Sequence, residues 1–215
     1  MTARDTILNA VLAACPAGDA RAVADAAAAL LDDPDSSRPP LAAPGLPEAF
    51  TLKATALGAS VERVANMASV PEAVARYLER HGLAGLSVQP APALTALDWT
   101  GIATHDHLAA DEPAALGLAL YGIAESGSLV VHSGPDAPIL LSFLPLHHIV
   151  VLRESTLLPW LEDYAARLEA ASVPRNAILI TGPSGTTDIE GSYVRGAHGP
   201  GFLHIIITGT DDIPE

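Results

Sequence analysis

The sequence predicts an α/β fold: an open three-layer sandwich around a mostly parallel or mixed sheet, with N-terminal helices ahead of it. Three observations predict it. Apolar runs rich in β-branched residues recur without polar alternation, as in residues 148–153 (HIVVLR) and 203–209 (LHIIITG), and strands covered on both faces read this way. Segments with helical spacing lie between several of these runs, the pattern of helices packed on a parallel sheet. The 215 residues are 49% hydrophobic and 17% charged, which suits a buried core and not a disordered chain.

Each element follows in order. Residues 2–14 place Ile7, Leu8, Val11 and Leu12 at helical spacing, and residues 19–31 read as an alanine-rich second helix with Asp19 as N-cap. Residues 33–47 hold five prolines and read as an extended linker. The chain therefore divides into N-terminal helices and linker over 1–47 and an α/β domain over 48–215. Residues 48–59 are helical and stop near Gly58. Residues 61–64 (VERV) are a short strand. Residues 71–81 are a helix with Pro71 in its first turn and Gly82 at its end. Residues 86–89 are a strand, and the apolar run 116–124 leads into Glu-Ser-Gly. Residues 128–132 (SLVVH), 138–143 (PILLSF) and 148–153 are strands, 158–171 a helix, 177–181 (AILIT) a strand, and 203–209 the last strand.

Charge and cysteine content narrow the function classes. The net charge is −14, with 11 Lys and Arg spread over the whole chain. Phosphate backbones are bound through clustered cations, so the composition argues against nucleic acid and against an anionic membrane surface. No apolar run reaches the ~18 residues of a membrane span, and Asp5 interrupts any signal-like N-terminus. A cytoplasmic protein is expected. The single cysteine, Cys15, allows no internal disulfide and no four-thiolate cluster. It reads as a small buried apolar residue. No cofactor is expected.

The candidate chemistry concentrates in residues 181–201, TGPSGTTDIEGSYVRGAHGPG, which leave the carboxyl end of the AILI strand. Ligands gather at the carboxyl ends of strands in open α/β sheets. Gly182 and Gly185 permit close backbone approach, and Thr181, Pro183, Ser184, Thr186 and Thr187 complete a hydroxyl-rich turn whose N–H groups are suited to cradle an anion. The same residues also suit a tight strand-to-helix turn capped by Ser, Thr and Asp188. Glu125, before Ser126 and Gly127, stands at a second strand-end turn. His198 and Gly199 form a third polar turn, and His148 opens the HIVVLR strand. Glu125, Asp188 and His198 are the candidate acid/base groups. His105 and His107 flank Asp106, but no third ligand accompanies them, so no metal is expected.

Four motifs in order, GIAESGSLVV (122–131), LPLHHIVVL (144–152), ITGPSGTTDIE (180–190) and GAHGP (196–200), resemble the lactate-utilisation (LUD) domain family, and within it the lactate utilisation protein C (LutC/YkgG) type. The resemblance is close over 115–209 and holds in outline before that. It implies a fold like that of the NagB/RpiA/CoA-transferase group with a pocket at strand ends. It also implies the role of cluster-free component in L-lactate oxidation to pyruvate, beside iron–sulfur partner proteins, with a small anionic metabolite as ligand. Two other readings stay open: an enzyme acting on a sugar phosphate or CoA-type substrate, and a non-catalytic interaction module. A homo-oligomer is compatible with all three. The sequence departs from the family pattern at Ser126 and Ser128, where threonines are usual, at Gly185, where arginine is usual, at Thr187 for alanine and at Ala197 for valine.

Overall fold

In the computed structural model, which describes residues 2–14, 18–169, 174–187, 191 and 193–209, the chain divides into two units, Met1–Pro39 and Pro40–Glu215. The first unit holds α1 (Ala3–Ala14) and α2 (Ala20–Asp32). Asp5 accepts hydrogen bonds from the Thr2 N–H and hydroxyl, and Asp19 accepts from the Arg21 N–H. Acids and hydroxyls satisfy the partnerless N–H groups of a first turn in this way. Neither helix buries a side chain within the unit. Cys15 lies outside the described residues.

The second unit runs α3 (Leu46–Ala56), β1 (Ser60–Val64), α4 (Val70–His81), β2 (Gly85–Val88), α5 (Pro92–Thr95), β3 (Ala103–His105), β4 (Ala114–Leu118), β5 (Tyr121–Ile123), β6 (Ser128–His132), β7 (His147–Arg153), β8 (Leu157–Leu158), α6 (Leu161–Glu169), β9 (Ala177–Ile180), β10 (Gly185–Thr187), β11 (Tyr193–Arg195) and β12 (Phe202–Thr208). Six strands form one sheet in the order β1-β12-β7-β4-β2-β3, and every pair in it is parallel. A second sheet has the order β8-β5-β6-β9, antiparallel except for β5–β8. β10 and β11 make a separate antiparallel ribbon.

The layers follow from the alternation of side chains along the central strands. Ile149 and Val151 of β7 and Ile206 of β12 pack with Val70, Val74, Tyr77 and Leu94 of α4 and α5. Val150 and Leu152 of β7, with Leu203, Ile205 and Ile207 of β12, pack on the other side with Phe50 and Ala54 of α3 and Leu129 of β6. Helices, parallel sheet, and α3 with the second sheet are thus three layers, and α6 packs outside the third through Tyr164 on Val130 and Leu158. α4 shows why its segment is helical: Val70, Ala73, Val74, Tyr77 and Leu78 lie on one face, Pro71 occupies the first turn, and Gly82 closes the helix at φ +63°.

Several expectations change. Residues 138–143 are not a strand; Ile139–Ser142 form a 3-10 turn that buries only Leu141 and Ser142. Short apolar runs do not distinguish strand from helical turn by pattern alone. The run 116–124 is two strands in two sheets. Ala119 N–H still donates to Val151 of β7, and the next N–H, of Leu120, donates to Val130 of β6. β9 belongs to the second sheet, antiparallel to β6, and not to the parallel sheet. The segment after it forms the β10–β11 ribbon and no capped helix within its described residues. α6 starts at Leu161 because Leu157 and Leu158 are taken up by pairing with β5. Leu41, Ala43 and Leu46, read as linker, pack on the core of the second unit.

On the α4 side, histidines line the amino ends of β7 and β12. Tyr77 Oη hydrogen-bonds His147 Nδ1 at 2.9 Å and stacks on His204 at 4.5 Å. Ser60 Oγ bonds His204 Nδ1 at 2.8 Å. On the opposite side His148 is fully buried. Burial favours the neutral imidazole and pushes both His148 and His204 down to about 4. The unfolded chain takes up these protons near pH 6.5, whereas the folded chain resists them until about pH 4. Stability is therefore full above the unfolded value and is lost as pH falls through this window, by up to about 1.4 kcal/mol per pH unit for each group. Urea midpoints between about pH 7 and pH 4 should fall with pH, and His204→Asn should remove one group's share of the slope. An unchanged slope in that variant would show that His204 is not held neutral.

Candidate functional site

Because β9 runs antiparallel to β6 in the second sheet, the segment leaving its carboxyl end arrives at the amino ends of β7 and β12. A cavity of about 340 Å³ opens there. His148 and Leu203, the second residues of β7 and β12, lie at its inner side, and Ser142 and Phe143 come from the 3-10 turn region. Ile178 to Gly185 and His198 to Pro200 complete the lining. Two backbone bonds staple these turns: Ser184 N–H donates to Pro200 O at 2.8 Å, and Gly196 N–H donates to Ser184 O at 3.0 Å. Gly182 sits at φ +78°, and a Cβ there would lie 2.9 Å from the Leu57 carbonyl oxygen, so only glycine makes this turn without strain.

The donors of the cavity are neutral groups. His148 is buried, and its Nδ1 has no hydrogen-bond partner among the described residues. A buried polar atom of this kind is costly unless something satisfies it. At neutral pH its imidazole, held down by burial, offers a hydrogen bond and not a charge. Ser184 is half-buried, and His198 is exposed at the mouth. The Ser184 N–H, part of the expected anion cradle, is already used by Pro200, and Gly182 is the one residue of the turn with positive φ.

The sequence-derived candidates fall into two groups. His148, Thr181, Gly182, Pro183, Ser184, Gly185, His198 and Gly199 line one cavity. Glu125, Ser126, Gly127 and Thr186 are not among its lining residues. Glu125 accepts from the Leu161 N–H at 2.8 Å, where it caps the start of α6. Ser126 touches the site indirectly, through a run of hydroxyls from Ser126 to Ser128 at 2.8 Å and from Ser128 to Thr181 at 2.7 Å. Gly127, at φ +66°, lies against the backbone of Lys53 and Ala54. Thr186 is the middle residue of β10, and Asp188 lies outside the described residues. Sequence reasoning did not select Ser142, Phe143 or Leu203; the first two were hidden in a segment read as a strand.

Gly185 stands where the family pattern has arginine, and its surroundings do not require glycine. A Cβ at this position would fall on the ring of Tyr193, which is 62% exposed and free to turn away. Directly across the ribbon from Gly185 is Arg195, whose guanidinium lies 5.4 Å from the ring centre of Phe202, within cation–π range. His105 is within 3.4 Å of Glu112, and its Nδ1 faces the His107 carbonyl at 2.9 Å. No group of three metal-binding side chains occurs among the described residues.

Residues 47–208 match the LUD domain family. The chain belongs to the LUD domain family. Among its curated relatives, Lactate utilization protein C of Anoxybacillus flavithermus is 34% identical over 113 residues, 51% of each chain. Uncharacterized protein YkgG of Escherichia coli is 33% identical over 123 residues, 54% of this chain and 53% of that one. The chain spans about half the length of these curated relatives. Among solved structures, a DUF162 family protein from Deinococcus radiodurans superposes with a TM-score of 0.60 at 23% identity, covering 76% of this chain and 96% of that one. The two chains thus share this fold. No helix among the described residues is long and apolar enough to cross a membrane.

The hydroxyl run beside the LUD cavity gives a direct test of its organisation. Ser128→Ala and Thr181→Val should each cost about 1 kcal/mol. Together they should cost less than the sum by about 0.5 kcal/mol or more, because both break one network. Urea midpoints of the two single variants and the double variant measure this; strict additivity would show that the hydroxyls act independently.

Proposed function

We propose that this LUD domain binds a small carboxylate metabolite, of the 2-hydroxy or 2-keto acid class, in the cavity at the amino ends of β7 and β12, and serves as a cluster-free component of an L-lactate-oxidising system. The observation that carries the binding reading is the buried His148, whose Nδ1 has no hydrogen-bond partner among the described residues, in the lining of a cavity shared with Thr181, Ser184 and His198. A neutral imidazole and hydroxyls hold a carboxylate through directed hydrogen bonds rather than through net charge. This suits a chain of net charge −14 that places no lysine or arginine among the lining residues. His198, exposed at the mouth, is the candidate acid/base group of this cavity.

The pathway reading rests on the relatives named Lactate utilization protein C. With one cysteine, the chain cannot supply four thiolates to an iron–sulfur cluster. In this reading the redox centres belong to partner proteins, and the LUD domain handles the organic acid.

Thermal unfolding in the presence of L-lactate, pyruvate, sugar phosphates and CoA esters separates the readings. A ligand at about a hundred times its Kd stabilises by about 2.7 kcal/mol. Lactate or pyruvate should raise the midpoint, and His198→Ala should reduce that rise while leaving the unliganded midpoint unchanged. A rise with sugar phosphates or CoA esters alone would replace this reading with the enzyme one. In the source organism, deletion of the gene should abolish growth on L-lactate; full growth without a second copy would overturn the pathway assignment.

A further inference from the structure

The parallel sheet has a second edge, and its chain topology singles out one point on it. The connections β1→β2 and β2→β3 carry α4 and α5 on one face. The connections β4→β7 and β7→β12 carry the second sheet on the other. β2 and β4 are neighbours, yet the chain leaves β2 toward β3 on one side and β4 toward β7 on the other. Right-handed crossovers on opposite faces force this divergence. A crevice opens at the carboxyl ends of strands where such a switch occurs, and ligands favour it.

A cavity of about 230 Å³ lies there. Gln89, one residue past β2, and Leu118, the last of β4, line it, together with His132, Arg153 and Thr156. Gln89 is a fixed wall: its Nε2 donates to Asp136 O at 2.8 Å, and its Oε1 accepts from the Leu118 N–H at 2.8 Å. Thr156 donates its hydroxyl proton to the Arg153 carbonyl at 2.9 Å and keeps only acceptor capacity. His132 Nε2 is taken by the Tyr164 hydroxyl at 2.8 Å.

Arg153 is the exception to this satisfied set. Its Nε is buried without a hydrogen-bond partner, and no carboxylate lies within 4.0 Å of it among the described residues. The chain has 25 acidic side chains against 11 Lys and Arg, so carboxylate partners are plentiful. Arg21, Arg38, Arg63 and Arg76 all have one. Beside it in register, the hydroxyl of Thr208 of β12 is also buried without a hydrogen-bond partner among the described residues. Half-burying a guanidinium with its Nε unsatisfied is unfavourable, unless a bound anion completes it.

We propose that the cavity at the β2/β4 switch point is a second binding site, for a small organic monocarboxylate paired with the Arg153 guanidinium. One arginine matches one carboxylate in a bidentate pair. Burial lowers the pKa of His132, so the imidazole adds no second positive charge at neutral pH. A single charge is poorly matched to a phosphate dianion. Leu118, Ala119 and Leu120 give the short hydrocarbon end of the ligand an apolar wall. The site lies across the sheet from the one under Proposed function and shares none of its lining residues.

The test reads the arginine itself. In ¹⁵N-labelled full-length protein, the Arg153 Nε–H resonance is identified by its loss in Arg153→Lys. Titration with sodium propionate at constant ionic strength should move it saturably. Sodium chloride and inorganic phosphate should move it at least tenfold less at equal concentration. Propionate stabilisation against heat, referred to the same sodium chloride, should fall in Arg153→Lys. The response should survive in His198→Ala, which lies in the other cavity. No saturable movement at tens of millimolar propionate, or an equal response to phosphate, would overturn the proposal. So would an Nε–H resonance already at its shifted position before any ligand is added, since the guanidinium would then have a partner within the chain.

Discussion

Strand β7 is paired along both edges and covered on both faces, and these two facts dictate the layers around it. Its backbone groups are consumed by β12 and β4, so nothing else can pair with it. Its side chains alternate between two apolar environments. Ile149 and Val151 require the amphipathic face of α4, and Val150 and Leu152 require α3 and the second sheet. A strand of this kind has no solvent face to tolerate error, since a register slip of one residue would exchange the two sets of side chains. The paired histidines at its start obey the same alternation: His147 meets Tyr77, and His148 faces the second sheet.

This arrangement separates the two edges of the parallel sheet chemically. At the amino edge, the polar groups near His148 are hydroxyls and imidazoles supplied by turns from the second sheet. At the carboxyl edge, the charged group is Arg153, contributed by β7 itself. Between them a void of about 10 Å³ touches both Gln89 and His148, near the size of a single water. The interior of β7 is otherwise closed by the packing of Leu141, Val131 and Val150.

Much of this was legible in the sequence. The unbroken β-branched runs of β7 and β12 announced buried strands, and Pro71 with Gly82 marked both ends of α4, because these signals are local. The ordered motifs led to the LUD family and to the turns at Thr181–Gly185 and His198–Gly199. What escaped depends on partners distant in sequence. AILI reads the same whether it pairs in parallel or antiparallel fashion, so its transfer to the second sheet, and with it the edge to which the loop is delivered, was invisible. Three-residue strands such as β3, β10 and β11 carry too few residues to show a period. The switch from β4 to β5 within one peptide has no compositional mark. Glu125 read as a candidate acid/base group because its partner, the Leu161 N–H, lies 36 residues away.

The outer strands of the parallel sheet bear on how such an apolar chain avoids sticking to itself. An open edge offers a row of unpaired backbone groups to any passing strand. β1 carries Glu62 and Arg63 in its middle, and both are held in ion pairs, with Arg76 and with Glu48 and Glu154. A strand adding beside β1 would have to accommodate that charged network. β3 at the other end is three residues long and ends in His105, close to Glu112. The six strands therefore terminate on both sides in material that gives little template for strand addition, although the strands between them are mostly apolar.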